Sequence, residues 1–126
     1  MALHILLVED DADLRREISE YLKRRRFEVT TLGSCKEASQ FLSSAPLQPD
    51  VVLCDINLGD GDGMAIYAEF STRRPACRWI LMSGDLDGQR LADLNRRQPA
   101  LPPCTIIDKP ISLRRLVTII AGNISD

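Results

Sequence analysis

Leu3-His4-Ile5-Leu6-Leu7-Val8-Glu9-Asp10-Asp11 is a short, mostly apolar run that stops at three consecutive acids. A second run, Val51-Val52-Leu53-Cys54, stops in the same way at Asp55. Short apolar runs of this kind predict strands, and the second reads as one covered on both faces. As parallel neighbours, the two strands bring carboxylates from distant parts of the chain into one crevice. That crevice, at the carboxyl ends of the strands, is where an open α/β sheet takes its ligand. Carboxylates packed together repel, and the like charge raises some of their pKa values. A hard divalent cation with oxygen ligands relieves the repulsion. Lys109 is the cationic companion that the chain itself offers.

Outward from these runs, strand-like and helix-like segments alternate, which predicts βαβ units and a mainly parallel sheet. The first strand, 3–8, leads into a helix over 12–25 with Leu14, Ile18, Tyr21 and Leu22 on one stripe. Asp11 is placed to cap that helix, and Arg24-Arg25-Arg26 to end it. A strand over 27–32 and a helix over 34–44 follow, the helix with Ala38, Phe41, Leu42 and Ala45 on one side. After the strand over 51–54, Leu58-Gly59-Asp60-Gly61-Asp62-Gly63 predicts a tight loop whose glycines permit unusual backbone angles. A helix over 64–72, a strand over 78–82 and a helix over 86–97 come next, with Leu91 and Leu94 inward. The proline-rich stretch 98–103 cannot continue a helix. A strand over 104–107 precedes a last helix over 113–123, capped by Ser112 and burying Leu116, Val117, Ile120 and Ile124.

The 126 residues suffice for one domain with a real core and are too few for two comfortable ones. With no internal repeat or linker, 1–126 is expected to be a single domain without an output domain. A net charge of -2 argues against direct nucleic-acid binding, and the arginine pairs read as solvated helix faces. Cys35, Cys54, Cys77 and Cys104 form no Cys-x-x-Cys pair and have only His4 to join them, so they read as reduced thiols rather than zinc ligands. The amino-terminal run is too short for a membrane span and lacks the basic region of a signal peptide, so the expected location is the cytoplasm.

Five features fall at predicted strand ends: Glu9-Asp10-Asp11, Asp55, Asn57, Ser83-Gly84 and Lys109-Pro110. Asp10 and Asp55 offer carboxylate oxygens to a cation, Glu9 can assist, and the backbone carbonyl of Asn57 supplies another oxygen. Mg²⁺ (or Mn²⁺) suits such a site, because it accepts few protein ligands and keeps several waters. A carboxylate held in this way is also a nucleophile toward phosphorus. The Ser83 hydroxyl, the Gly84 amide and the Lys109 ammonium can bind the oxygens of a phosphoryl group. Asn57 cannot act as a general acid two residues beyond Asp55, which disfavours an aspartyl phosphatase. The glycines of 59–63 lack the spacing of a dinucleotide loop.

Val8-Glu9-Asp10-Asp11, Asp55 within Cys54-Asp55-Ile56-Asn57-Leu58, Gly61-Asp62-Gly63, Ser83-Gly84 and Lys109-Pro110 resemble the receiver domain of two-component response regulators. The likeness covers essentially the whole chain. It implies an α/β, doubly wound, flavodoxin-like fold of three layers, with a five-stranded parallel sheet in the order 2-1-3-4-5. It implies that Asp55 accepts a phosphoryl group from the phosphohistidine of a sensor histidine kinase or phosphotransfer protein. It makes Glu9, Asp10, Asp55 and the Asn57 carbonyl the metal pocket, and Ser83, Gly84 and Lys109 the phosphoryl-binding switch. Lys109-Pro110 stands where the family often has a cis bond. A downstream output domain or protein, and a homodimer, are also within what the resemblance implies. Such a domain is a signalling receiver rather than an enzyme, catalysing only its own phosphorylation and dephosphorylation.

The chain departs from the family where the signal would leave the site. Ile106 stands three before Lys109, where the family often carries an aromatic switch residue. The stretch from Ser83 to Lys109 is longer than usual and contains Leu101-Pro102-Pro103. These departures keep open an alternative, a receiver-like interaction module that works without phosphorylation.

Overall fold

The computed structural model describes residues 2–44, 48–84 and 87–122. Strand β1 (His4–Val8) runs into helix α1 (Ala12–Arg24), followed by β2 (Glu28–Leu32), α2 (Cys35–Ser44) and β3 (Val51–Asp55). A short pair, β4 (Asn57–Leu58) and β5 (Gly61–Asp62), precedes α3 (Gly63–Phe70). Then come β6 (Arg78–Ser83), α4 (Asp87–Arg97), β7 (Thr105–Asp108) and α5 (Leu113–Gly122). The main sheet is parallel, in the order β2-β1-β3-β6-β7. With the small pair left out of the numbering, this is the expected order 2-1-3-4-5.

Side chains alternate across the pleat, so each strand feeds two cores. Leu6, Val8, Val52, Cys54, Trp79 and Leu81 pack on one face against Ala38 and Leu42 of α2, Phe70 of α3 and Leu94 of α4. Ile5, Leu7, Val51, Leu53, Ile80 and Met82 pack on the other against Ile18 and Leu22 of α1 and Leu116 and Ile120 of α5. Helices therefore cover both faces, and every residue of β3 is buried. Burying one such aliphatic side chain contributes about 1.5–3 kcal/mol. Trp79 belongs to the core. The four cysteines are free thiols, with Cys54 and Cys77 buried.

Boundaries moved where local capping decides them. Helix α3 begins at Gly63 rather than 64, because Asp62 caps it by accepting from the Met64 amide at 2.9 Å. Strands β3 and β6 run one residue further than expected, to Asp55 and Ser83, because pairing with their neighbours continues that far. Phe27 lies outside β2. Ala45, Leu86, Asn123 and Ile124, assigned above to helices, lie outside the described residues.

Arg26 does not belong to α1. It takes a left-handed conformation, φ 72°, in a position that usually goes to glycine. Its amide donates to the Lys23 carbonyl and that of Phe27 to the Leu22 carbonyl, both within 3.2 Å, which closes the helix end. Phe27 packs with Leu22 in the same core cluster.

The loop after Asp55 is ordered as the β4–β5 hairpin. Its glycines serve a purpose other than the expected one, since no described glycine has a positive φ. A Cβ on Gly63 would lie 2.2 Å from the Asp55 carbonyl oxygen, and one on Gly61 would lie 2.9 Å from Cys35 Sγ. Close approach is what these positions require. Asp60, at the hairpin tip, caps α2 from a distance by accepting from the amides of Cys35 at 2.8 Å and Lys36 at 3.0 Å. Those bonds, the Cys35 amide foremost, hold its carboxyl below the usual range.

Candidate functional site

Parallel register brings the acidic ends together. Val8 lies opposite Cys54, so Glu9 and Asp55 leave adjacent strands at the same edge. The Glu9 amide still donates to Leu32 O at 3.0 Å, and that of Lys109 to Ser83 O at 2.8 Å. The ladder is thus continued into the residues that carry the chemistry.

Carboxylate oxygens of Glu9, Asp10 and Asp55 all lie within 4.8 Å of one another. Glu9 and Asp55 are buried, at 0% and 3% exposed, whereas Asp10 faces solvent. Lys109 Nζ donates to Asp55 Oδ2 at 2.8 Å and to Glu9 Oε1 at 3.1 Å. Backbone amides hold the remaining oxygens: Asn57 N–H donates to Asp55 Oδ1 at 3.1 Å, and Asp11 N–H to Glu9 Oε2 at 3.1 Å. Gly59 N–H donates to Asp10 Oδ2 at 3.0 Å, which ties the hairpin to the first strand end. Arg15 donates to the Glu9 carbonyl at 2.7 Å from α1.

Burial, followed by the negative charge of Asp55, pushes the Glu9 carboxyl up from 4.5 to about 7 against the pull of the Asp11 amide and Lys109. Burial alone would pull Lys109 down, but its bonds to Asp55 and Glu9 outweigh that and leave it above its usual value. The site therefore holds more negative charge than one lysine neutralises, with the three acids close enough to share a cation. Their donor set is all oxygen, which fits a hard divalent ion.

Ser83 and Gly84 are at the same sheet edge but are committed elsewhere. Ser83 is buried, and its hydroxyl is placed to donate to Gly84 O at 3.0 Å or to Asp108 Oδ1 at 3.3 Å. Gly84 N–H donates to Asp87 Oδ2 at 3.1 Å. Ile106 pairs with Leu81 across the sheet and packs, half-buried, against the core cluster that contains Leu94. The Lys109–Pro110 peptide is cis.

Sequence reasoning missed Asp108, Asp87, Arg90 and Tyr67. Asp87 was discoverable, since an acid in the first turn of a helix is a capping signal. The Tyr67 hydroxyl donates to the Pro102 carbonyl and so anchors the proline-rich loop to α3. Nothing local to Tyr67 in the sequence predicts that contact.

The sequence matches, over residues 5–121, the family described as response regulator receiver domain. The chain belongs to that family. Receiver domains are signalling modules of two-component systems. This receiver domain is 35% identical over 115 residues to the regulatory protein VirG of Agrobacterium tumefaciens (strain 15955), a match covering 90% of this chain and 40% of that protein. It is 33% identical over 121 residues to the two-component response regulator ARR11 of Arabidopsis thaliana, covering 94% of this chain and 22% of that protein. The receiver domain thus spans less than half the length of either relative. Among solved structures, a CheY-like response regulator receiver domain protein from Methanospirillum hungatei JF-1 superposes with a TM-score of 0.83 at 21% identity, covering 99% of this chain and 95% of that one. That likeness speaks to the fold. Among the described residues, no helix of the receiver domain is long and apolar enough to cross a membrane.

Proposed function

We propose that this receiver domain takes a phosphoryl group onto Asp55 from the phosphohistidine of a sensor histidine kinase or phosphotransfer protein. The observation that carries the reading is Lys109 Nζ at 2.8 Å from Asp55 Oδ2, beside the cluster of Glu9, Asp10 and Asp55. Glu9, Asp10, Asp55 and the Asn57 carbonyl would hold Mg²⁺ or Mn²⁺, which supplies positive charge to the incoming phosphoryl oxygens.

One Asp55 oxygen attacks phosphorus, a P–O bond forms, and the P–N bond to the imidazole breaks. The leaving nitrogen keeps the electron pair and takes a proton. The Asn57 amide, 3.1 Å from Oδ1, and Lys109 keep the carboxylate aimed before transfer. Once phosphoryl is in place, Lys109 follows the negative charge onto its oxygens. Ser83 turns its hydroxyl from Asp108 and Gly84 toward the same group, and Ile106 adjusts behind it. Attack of water on phosphorus later restores the carboxylate and releases inorganic phosphate. The domain therefore catalyses only its own phosphorylation and dephosphorylation.

The signal passes to an output domain or a separate protein, with homodimerisation as one route, and the domain itself does not contact nucleic acid. It works in the cytoplasm, where kinase phosphohistidine is made. Incubation with Mg²⁺ and acetyl phosphate, followed by mass spectrometry, tests the reading. Wild type should carry one phosphoryl group and Asp55→Asn none. Equal uptake by the two proteins, or none by wild type, overturns it.

A further inference from the structure

The Gly84 amide stands at the end of β6, next to Ser83, and is held by Asp87 Oδ2 at 3.1 Å. Asp87 is only 4% exposed, so its charge is out of water and needs partners. Arg90, one turn along α4, supplies one: its Nη1 donates to Asp87 Oδ1 at 3.1 Å. The other terminal nitrogen, Nη2, pairs with Asp62. Asp62 is itself the cap of α3, through the Met64 amide. One guanidinium therefore joins the amino ends of two helices that flank the strand ends carrying Asp55 and Ser83. An unbroken chain of charge-assisted hydrogen bonds runs from the hairpin after Asp55 to the Gly84 amide.

We propose that Asp87 and Arg90 are positioning residues that set how readily the Gly84 amide serves a phosphoryl group on Asp55. The proposal rests on the phosphoacceptor reading above. An amide has one proton and makes one good bond at a time. The Asp87 carboxylate and a phosphoryl oxygen are rival anionic acceptors for it. Arg90 strengthens the rival, because its fork satisfies Asp87 and tethers it to Asp62 at once. A lysine, with a single point of charge, cannot span both carboxylates in that way. Phosphorylation therefore has to draw Gly84 away from Asp87, and the strength of the Asp87–Arg90–Asp62 network sets how hard that is.

The test uses beryllofluoride with Mg²⁺ as the phosphoryl mimic and ¹⁵N NMR to read both affinity and exchange at the Gly84 amide. In Asp87→Ala, that amide should exchange faster without mimic, and the mimic should bind about tenfold more tightly, about 1.4 kcal/mol. Asp87→Asn keeps an acceptor for the Gly84 amide but drops the charge, so its affinity should lie between the two. Arg90→Gln should speed Gly84 exchange several-fold, and Arg90→Lys should speed it less. If Asp87 served only to hold the start of α4 in place, Asp87→Ala would bind the mimic as well as wild type or more weakly, and the proposal would be overturned. Wild type that binds no mimic, with Gly84 exchange still responding to Asp87→Ala, would bring down the phosphoacceptor reading and this proposal together. Wild type that binds, with both Asp87 variants unchanged, removes this proposal alone.

Discussion

Glu9→Gln should stabilise the metal-free protein at high pH and not at low pH. Glu9 is fully buried, with Asp55 beside it, and its carboxyl is pushed up from 4.5 to about 7, chiefly by burial. Between those values the native state holds a proton that the unfolded chain has released. Stability contributed by the protonated carboxyl is therefore complete below 4.5 and is lost as pH rises through about 7. At about 1.4 kcal/mol per pH unit, that gap is about 3 kcal/mol of penalty in the ionised protein. Glutamine carries no charge, but its single oxygen can accept from the Asp11 amide or from Lys109, not from both as Glu9 does. Losing one such bond costs about 1 kcal/mol. The net expectation is a gain of about 2 kcal/mol at pH 8.5 and a small loss at pH 5. Urea denaturation followed by circular dichroism, in chelator at both pH values, reads the difference directly. Saturating Mg²⁺ at pH 8.5 should shrink the gain, since a cation relieves in wild type the repulsion that glutamine removes. A stability difference of the same size at both pH values would refute the electrostatic account of Glu9, as would a variant less stable than wild type at pH 8.5.

Gly63→Ala places a methyl group 2.2 Å from the Asp55 carbonyl oxygen. It should cost about 2 kcal/mol and, by shifting Asp55, slow phosphoryl uptake by more than about tenfold. Thermal melts and the acetyl phosphate assay check the two effects, and unchanged uptake would refute the link. Arg26→Gly relieves a left-handed arginine at the end of α1 and should raise stability by about 0.5–1 kcal/mol, seen as a higher urea midpoint at unchanged slope. Tyr67→Phe removes the hydroxyl that holds the Pro102 carbonyl. It should cost about 1 kcal/mol and speed amide exchange at Leu101, while leaving beryllofluoride affinity unchanged.

Strand-end acids made the candidate site legible, because a short apolar run that ends in a carboxylate has few places to go in a parallel sheet. Glu9, Asp10 and Asp55 needed only adjacency and direction to converge, and Lys109 needed only the next strand ends. Asp11 as a cap was legible for the same reason, since capping reaches two or three residues along the chain. The glycines of 59–63 were misread because sequence suggests backbone freedom, whereas the cause at Gly61 and Gly63 is a neighbour arriving from elsewhere in the fold.

Sequence by itself thus determined the alternating architecture, the two-faced core and the identity of the acidic crevice, all of which follow from local pattern and strand polarity. Tertiary structure alone decided where the side chains of that crevice spend their hydrogen bonds. Asp60 caps a helix that starts 25 residues before it. Ser83 is turned toward Asp108, and Arg90 reaches Asp62 across 28 residues of chain. Such contacts depend on the direction of a side chain after two elements have packed, and no periodicity in the sequence encodes that direction.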